Sequence, residues 1–443
     1  MAGTTPTPVV VEIDASKPIG HLTPLQGVNN GPICFGGLVD LTPWHQQLAL
    51  PSVRLHDSGW PGPVVVDIPT IFPNFDADPS DERNYRFDRT DDYLHSVVGV
   101  TDKVVYRLGT SIEWTQRKYD TAPPADYDHW AQICIGIIRH LNEGWANGHE
   151  LGIQHFEIWN EPDIGAQMWS GSQEDYLRLY GAAATAIKAY NRDLKVGGPV
   201  VAHVDGDLAP AFVDYVTSHD LPLDFFSWHH YGVDPEAVAQ RAKKIRALLD
   251  SNGLQHVESY LTEWNWTGEW TTAGQSARAM HHRNRSARGG AFVAATLMLL
   301  QDAGVDEAHY FSGDTQWFGL FDEFGNPQKN YFGMLACAKL FSRDERVQVS
   351  VHQSADTGVV AVGGRSDDGF VGVISAYEGV TSPLELTIRA AGGDQPTRYQ
   401  LFWVDDEHDL ERTQTITACG PDLAIMTTLP AGTVLMITTV TDD

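Results

Sequence analysis

The chain has 443 residues, 42% of them hydrophobic, enough to bury a large core and to fill more than one domain. Its 58 acidic against 30 basic residues give a formal net charge of −28, which argues against nucleic acid as a partner and against a polyanionic substrate. Four scattered cysteines (Cys34, Cys134, Cys337, Cys419) form neither a zinc motif nor a disulfide framework, and no run of about 18 apolar residues offers a membrane span.

Residues 1–9 are rich in Thr and Pro and lack the basic and apolar regions of a secretory signal, so the expectation is a soluble, cytoplasmic protein. Apolar strand-like runs then alternate with helical periods, the pattern of a parallel α/β fold. Eight such runs fall at residues 25–29, 52–56, 103–108, 156–160, 195–200, 225–229, 259–263 and 308–312, the number a (β/α)8 TIM barrel requires. Helical periods read clearly at 126–143, with Trp130, Ile133, Ile137 and Leu141 on one face, and at 173–190, 235–249 and 290–301. The Pro- and Asp-rich segment 59–84 follows the second strand and is expected as a long mouth loop, functional or mobile.

After residue 342 the grammar changes to short alternating runs at 347–351, 359–363, 370–375, 384–388, 399–404 and 434–440, a β-sandwich pattern. Residues 9–13 have no other partner and are expected to join that sheet. The domain expectation is a barrel over 15–341 and an accessory all-β sandwich over 342–443 plus a strand at 7–14.

The chemistry concentrates at two strand ends. His155-Phe156-Glu157-Ile158-Trp159-Asn160-Glu161-Pro162 is a short apolar strand closing on an Asn-Glu pair and stopped by proline; Ser259-Tyr260-Leu261-Thr262-Glu263 closes on Glu in the same way. Carboxylates at such ends lie where a barrel builds its active site. Glu161 and Glu263 are 102 residues apart, room for about three strand-helix units, so they face each other across the mouth. Paired carboxyl groups flanking a sugar bond are the machinery of glycoside hydrolysis.

Trp159-Asn160-Glu161-Pro162 followed by Thr262-Glu263-Trp264-Asn265 resembles the clan A retaining glycosidases, and in detail glycoside hydrolase family 39, the β-xylosidase and α-L-iduronidase family. Val53-Arg54-Leu55-His56, Val196-Gly197-Gly198-Pro199, Phe226-Ser227-Trp228-His229-His230-Tyr231 and Phe318-Gly319-Leu320-Phe321 with Lys329-Asn330-Tyr331 carry the resemblance over roughly residues 20–340. It implies Glu161 as acid/base at the end of strand four, Glu263 as nucleophile at the end of strand seven, and Asn160 bonded to the sugar 2-hydroxyl. It also implies His229 and Tyr231 as contacts of sugar and nucleophile. Two positions depart from the family: Arg54-Leu55-His56-Asp57-Ser58 replaces Arg-Phe-His-Gly, and Phe311-Ser312-Gly313-Asp314 replaces a Trp-containing segment, which leaves the sugar open.

Each candidate has a plainer competitor. Asn160 could serve a local turn, and His229 or Tyr231 could pack in a core. Arg54 and His56 share a strand face, where Arg54 could orient Glu263 or belong to a buried structural ion pair. Trp317 could be a stacking platform for a pyranose or simple packing. Arg283, Arg285 and Arg288 could meet a uronate, but a solvated helix start is the expectation. Adjacent His229 and His230 alternate faces and cannot chelate one ion together, so neither metal nor cofactor is expected.

The leading function is therefore a retaining, exo-acting glycosidase on short pentose-containing oligosaccharides or glycosides, β-xylosidase-like or α-L-arabinofuranosidase-like. Carbohydrate is the expected partner, and self-association into a homo-oligomer stays open. An endo-acting polysaccharide hydrolase of the same clan and a non-catalytic carbohydrate-binding barrel are the alternatives. A metal-dependent isomerase would want acidic and histidine ligands clustered over several strand ends.

Overall fold

The computed structural model describes residues 8–440 apart from Trp60, Pro61, Pro63, residues 269–273, 354–357, 392–396 and Pro421. Thr7 of the expected N-terminal strand and three residues of the expected mouth loop (Trp60, Pro61, Pro63) lie outside the described residues.

Eight parallel strands close into a barrel in chain order: Gly27–Asn29, Val53–Leu55, Val104–Leu108, His155–Ile158, Lys195–Val201, Phe225–Gly232, Glu258–Trp266 and Glu307–Tyr310. They are called barrel strands one to eight below. Each matches an expected run, with ends moved by up to three residues. A helix follows every strand. The helix Tyr127–Glu143 starts where the Asp126 carboxylate accepts from His129 N, and Gln173–Tyr190 starts at a capping box between Ser172 and Asp175, which satisfies amide groups that a helix start leaves open. Inside the barrel the strands approach closely: a Cβ on Gly197 would stand 2.2 Å from the Phe225 ring, so only glycine fits beside that aromatic.

The described residues of segment 59–84 are packed rather than free. Val65, Val66, Ile68, Ile71 and Phe72 are buried, and Ile68 N donates to Gly109 O at 2.9 Å. Its polar surface hides an apolar anchor.

The tail and the N-terminus form one nine-stranded sheet, in the order Asp409–Ala418, Thr397–Val404, Thr433–Val440, Gly369–Glu378, Gly358–Ser366, Glu345–His352, Val9–Gly20, Ser382–Arg389, Leu423–Leu429. Val9–Gly20 runs parallel to Ser382–Arg389 and the other neighbours are antiparallel. Val11, Ile13, Leu386 and Leu423 share one core with Tyr399, Leu401 and Leu435, residues from both ends of the sheet, so it curls over into a sandwich. The two edge strands, Asp409–Ala418 and Leu423–Leu429, were not expected from the sequence. Each lies at an end of the sheet with much of its length exposed, so the apolar alternation that signals a strand is faint there.

The helix Ala287–Leu300 explains how the halves join. It is buried nearly all round, as a helix covered on two faces must be. Ser375 Oγ of the sandwich donates to its Ala291 O at 2.7 Å, and Val371, Val373, Val404 and Val434 of the sandwich sit in the same apolar cluster as the barrel. Among the described residues no helix is long and apolar enough to cross a membrane.

Candidate active site

Backbone geometry aims the two carboxylates. Beyond barrel strand four the chain turns sharply, with Trp159 at φ 74° and Glu161 at φ 39°, a left-handed region that ordinary residues rarely adopt. The turn is pinned by Trp159 N to Leu108 O (2.7 Å), Trp159 Nε1 to Met168 O (2.8 Å) and Glu161 N to Val200 O (3.0 Å). On barrel strand seven the register slips between Leu261 and Glu263 against strand six and between Leu261 and Trp264 against strand eight, consistent with a bulge at Thr262. Such an extra residue bends a strand and re-aims the side chain beside it. Here that side chain is Glu263.

Arg54, wholly buried, is the hub. Its Nε donates to Glu157 Oε2 (2.6 Å), Nη1 to Glu263 Oε1 (2.7 Å) and Asn29 Oδ1 (3.0 Å), and Nη2 to Asn160 Oδ1 (2.7 Å). Burial works against its charge, but Glu157 and Glu263 outweigh that and raise its pKa. The orienting and ion-pair readings of Arg54 thus coexist. Because Asn160 Oδ1 accepts from Arg54, its Nδ2 is left buried and without a hydrogen-bond partner. The other oxygen of Glu263, Oε2, accepts from Tyr231 OH at 2.6 Å, and burial beside Glu263 keeps that phenol protonated. Glu263 itself is only 4% exposed.

Glu161 Oε1 lies 2.7 Å from His229 Nδ1, and His229 Nδ1 lies 3.5 Å from Glu263 Oε2. An oxygen of each Glu and a His229 ring nitrogen all fall within 4.8 Å of one another. Burial, then the charge of Asp163, pushes Glu161 up to about 8; burial holds His229 down to about 4. At neutral pH the Glu161 carboxyl keeps its proton beside a neutral imidazole. These three donor atoms could also hold a divalent ion, a combination that chain order did not suggest because His229 comes from a different strand.

His56 faces the same space. Arg107 Nε donates to its Nδ1 at 3.1 Å, which puts the ring hydrogen on Nε2, 3.2 Å from Asp57 Oδ1 and 3.9 Å from Glu263 Oε1. Burial, with Arg107 and Arg54 nearby, keeps His56 uncharged. Asp57, the departure noted in the strand-two motif, is pushed up to about 7 by burial and by the neighbouring Glu263 and Asp67. Sequence reading missed Asp57, Glu157 and Arg107 as site groups. Glu157 was detectable: a charged residue two positions before Trp159 in an otherwise apolar strand demands a buried cation.

The remaining candidates lie further out. Trp317 is 43% exposed, its ring 4.6 Å from that of His281, and the adjacent Phe318 ring packs 6.3 Å from Tyr231. The expectation of a solvated cluster holds for Arg283 and Arg288, which are exposed, and fails for Arg285. Arg285 is mostly buried and donates to Gln316 O and Phe321 O, while Arg283 lies over the Trp266 ring at 5.4 Å. Arg285 thus holds the loop after barrel strand eight, and Arg283 packs on the end of barrel strand seven. Asp314 of that loop is enclosed by Ser312, Asn30 and Gln316.

A closed parallel barrel with facing carboxylates at its mouth, and a β-sandwich fastened to its flank, defines the class of protein. Within it, the model of the glycosyl hydrolases family 39 matches residues 39–336, and the chain belongs to that family. A β-xylosidase of Caldicellulosiruptor saccharolyticus is 26% identical over 299 residues, 60% of this chain and 57% of that protein. A β-xylosidase of Geobacillus stearothermophilus is 24% identical over 51% of this chain and 45% of its own length. The chain thus spans about half the length of the curated relatives it matches. A crystal structure of a glucosidase from Croceicoccus marinus is 25% identical, with a TM-score of 0.86 covering 99% of this chain and 100% of that one.

Proposed function

We propose that the protein is a retaining glycosidase that removes single sugars from short β-xylosides. The observation that carries the reading is that one oxygen of Glu161 and one of Glu263 lie within 4.8 Å of each other, a close pair of which one is protonated and one clamped by Arg54 and Tyr231. Retaining enzymes hold their carboxyl groups about 5–5.5 Å apart, whereas inverting ones leave about 6.5–9.5 Å for a water between them.

In this reading Glu263 attacks the anomeric carbon while Glu161 gives its proton to the departing oxygen, forming a glycosyl ester on Glu263. Glu161, now ionised, takes a proton from water, and that water attacks the anomeric carbon and releases Glu263, so configuration is retained. Asn160 offers its unpartnered Nδ2 to the neighbouring sugar hydroxyl, and the near-complete burial of the site favours one sugar at a chain end over an open groove. The similarity to two β-xylosidases supports the sugar.

The whole-length similarity to the Croceicoccus marinus glucosidase favours a glucoside as the second reading. The two sugars differ by a hydroxymethyl group at C5. A panel of aryl β-xyloside, β-glucoside and α-L-arabinofuranoside, with NMR of the first anomer released, separates them. Fastest turnover of the xyloside with retention is expected; inversion, or no hydrolysis of any member, overturns the reading. In Glu161→Ala, turnover of a xylo-disaccharide should fall about 10²–10⁴-fold while a dinitrophenyl glycoside loses little in its first step. Equal losses would make Glu161 structural.

A further inference from the structure

We propose that Asp91, His140 and His149 form a second site, in the outer helical layer of the barrel, that binds a divalent transition-metal ion of the zinc class. Asp91 and His140 come from the helices Asp88–Val98 and Tyr127–Glu143, and His149 from the connection that leads to barrel strand four. His140 Nε2 lies 2.9 Å and His149 Nε2 3.1 Å from the same Asp91 Oδ1, and the three atoms all fall within 4.8 Å of one another. A tetrahedral ion bound at about 2.0–2.1 Å needs ligand atoms about 3.3 Å apart, so little movement separates this arrangement from a coordination triangle.

The hydrogen bonding points the same way. His140 is 1% exposed, and its Nδ1 lies 3.0 Å from Trp145 O. A carbonyl only accepts, so Nδ1 carries the ring hydrogen and Nε2 is turned to the carboxylate. Donating the far nitrogen to a backbone carbonyl is how metal-bound histidines are held. Phe87 stacks on the His140 ring at 3.5 Å and fixes its plane. A proton on His140 Nε2 would satisfy that one pair. It would leave His149 Nε2 buried, beside the same oxygen, in no hydrogen bond. One metal ion satisfies all three atoms together. Two imidazoles and one carboxylate suit zinc ahead of calcium or magnesium, and the fourth position falls to water or to His95, whose ring is 4.8 Å from that of His149.

None of the three residues belongs to the barrel-mouth set, and they join two helices and a connection, so the role of the site is to clip two outer helices to the turn before barrel strand four. The test uses untagged full-length protein, stripped with a chelator and titrated with zinc chloride by calorimetry, with cobalt as a spectroscopic probe. One equivalent should bind, give the visible absorption of tetrahedral cobalt, and raise Tm without changing turnover of an aryl glycoside. Binding should weaken at least tenfold in His149→Gln and in Asp91→Asn, two partly exposed positions that leave His140 in place. It should persist in Glu263→Gln, which removes a donor from the barrel-mouth triad. Absence of binding, undiminished affinity in both His149→Gln and Asp91→Asn, or loss in Glu263→Gln overturns the proposal.

Discussion

The two ends of the barrel carry the same residue types and treat them in opposite ways. At the N-terminal floor, Lys103 meets Glu307 at 2.5 Å and Lys195 meets Glu258 at 2.8 Å, one lysine per carboxylate. Burial pushes Glu258 up, but hydrogen bonds from Lys195 and Tyr260 outweigh it and hold the carboxyl below its usual range. At the C-terminal mouth a single Arg54 serves both Glu157 and Glu263, and Glu161 and Asp57 are left in excess, pushed up to about 8 and about 7. Matched charges make a floor; surplus acid with raised pKa values makes a site where protons can be passed.

The sharpest way to break this contrast is Glu263→Ala, expected to lower kcat by about 10⁴-fold or more, on the scale of removing a nucleophile, with azide restoring turnover as a glycosyl azide of inverted configuration. Near-normal turnover on an activated aryl glycoside would dismiss Glu263 as nucleophile. Next is Arg54→Met, which strands two buried carboxylates. A loss of about 3–5 kcal/mol in denaturant unfolding is expected, together with loss of activity. A loss below about 1 kcal/mol would mean that the mouth charges are solvated.

A pH series sharpens the comparison further, because the signs differ between the ends. The folded state raises Glu161, so its contribution is full below about 4.5, the ordinary carboxyl value, and is lost as pH rises through about 8. Glu161→Gln should therefore gain Tm over the parent above pH 8, with the gain fading towards pH 4.5. Glu258 is lowered, so its contribution is present above about 4.5 and is lost on acidification. Glu258→Gln should lose Tm at neutral pH and recover parity in acid. Parallel curves for the two variants would erase the distinction. The smallest effect is expected from Lys103→Met, about 1 kcal/mol or less with kcat/KM unchanged, since that pair is partly exposed.

The barrel was legible because each of its strands is a compact apolar run with turn chemistry behind it, and Glu161 and Glu263 because they close two such runs. What stayed hidden was relational. The bulge at Thr262 leaves no local mark in Leu261-Thr262-Glu263, since it is a mismatch of count between neighbouring strands. Asp57 could be seen to depart from a motif, but its raised pKa comes first from burial and then from Glu263 and Asp67, none of which the motif contains. Arg285, expected with Arg283 and Arg288 to be solvated, has the charge of a helix surface, and only the loop after barrel strand eight supplies the carbonyls that draw it inward.

The strand Val9–Gly20 lies between Glu345–His352 and Ser382–Arg389, with Val11 opposite Val351 and Leu386. During synthesis it emerges before the barrel, and its partners emerge after the whole barrel. Until then its amide and carbonyl rows are open on both sides, as on an unprotected sheet edge. Barrel neighbours in chain order can pair as they appear, whereas this sheet closes across more than three hundred residues, a slow step by its topology. The order of translation thus houses a strand made before the barrel only after the barrel is complete, and the strands beyond residue 342 shield it from other copies of the chain.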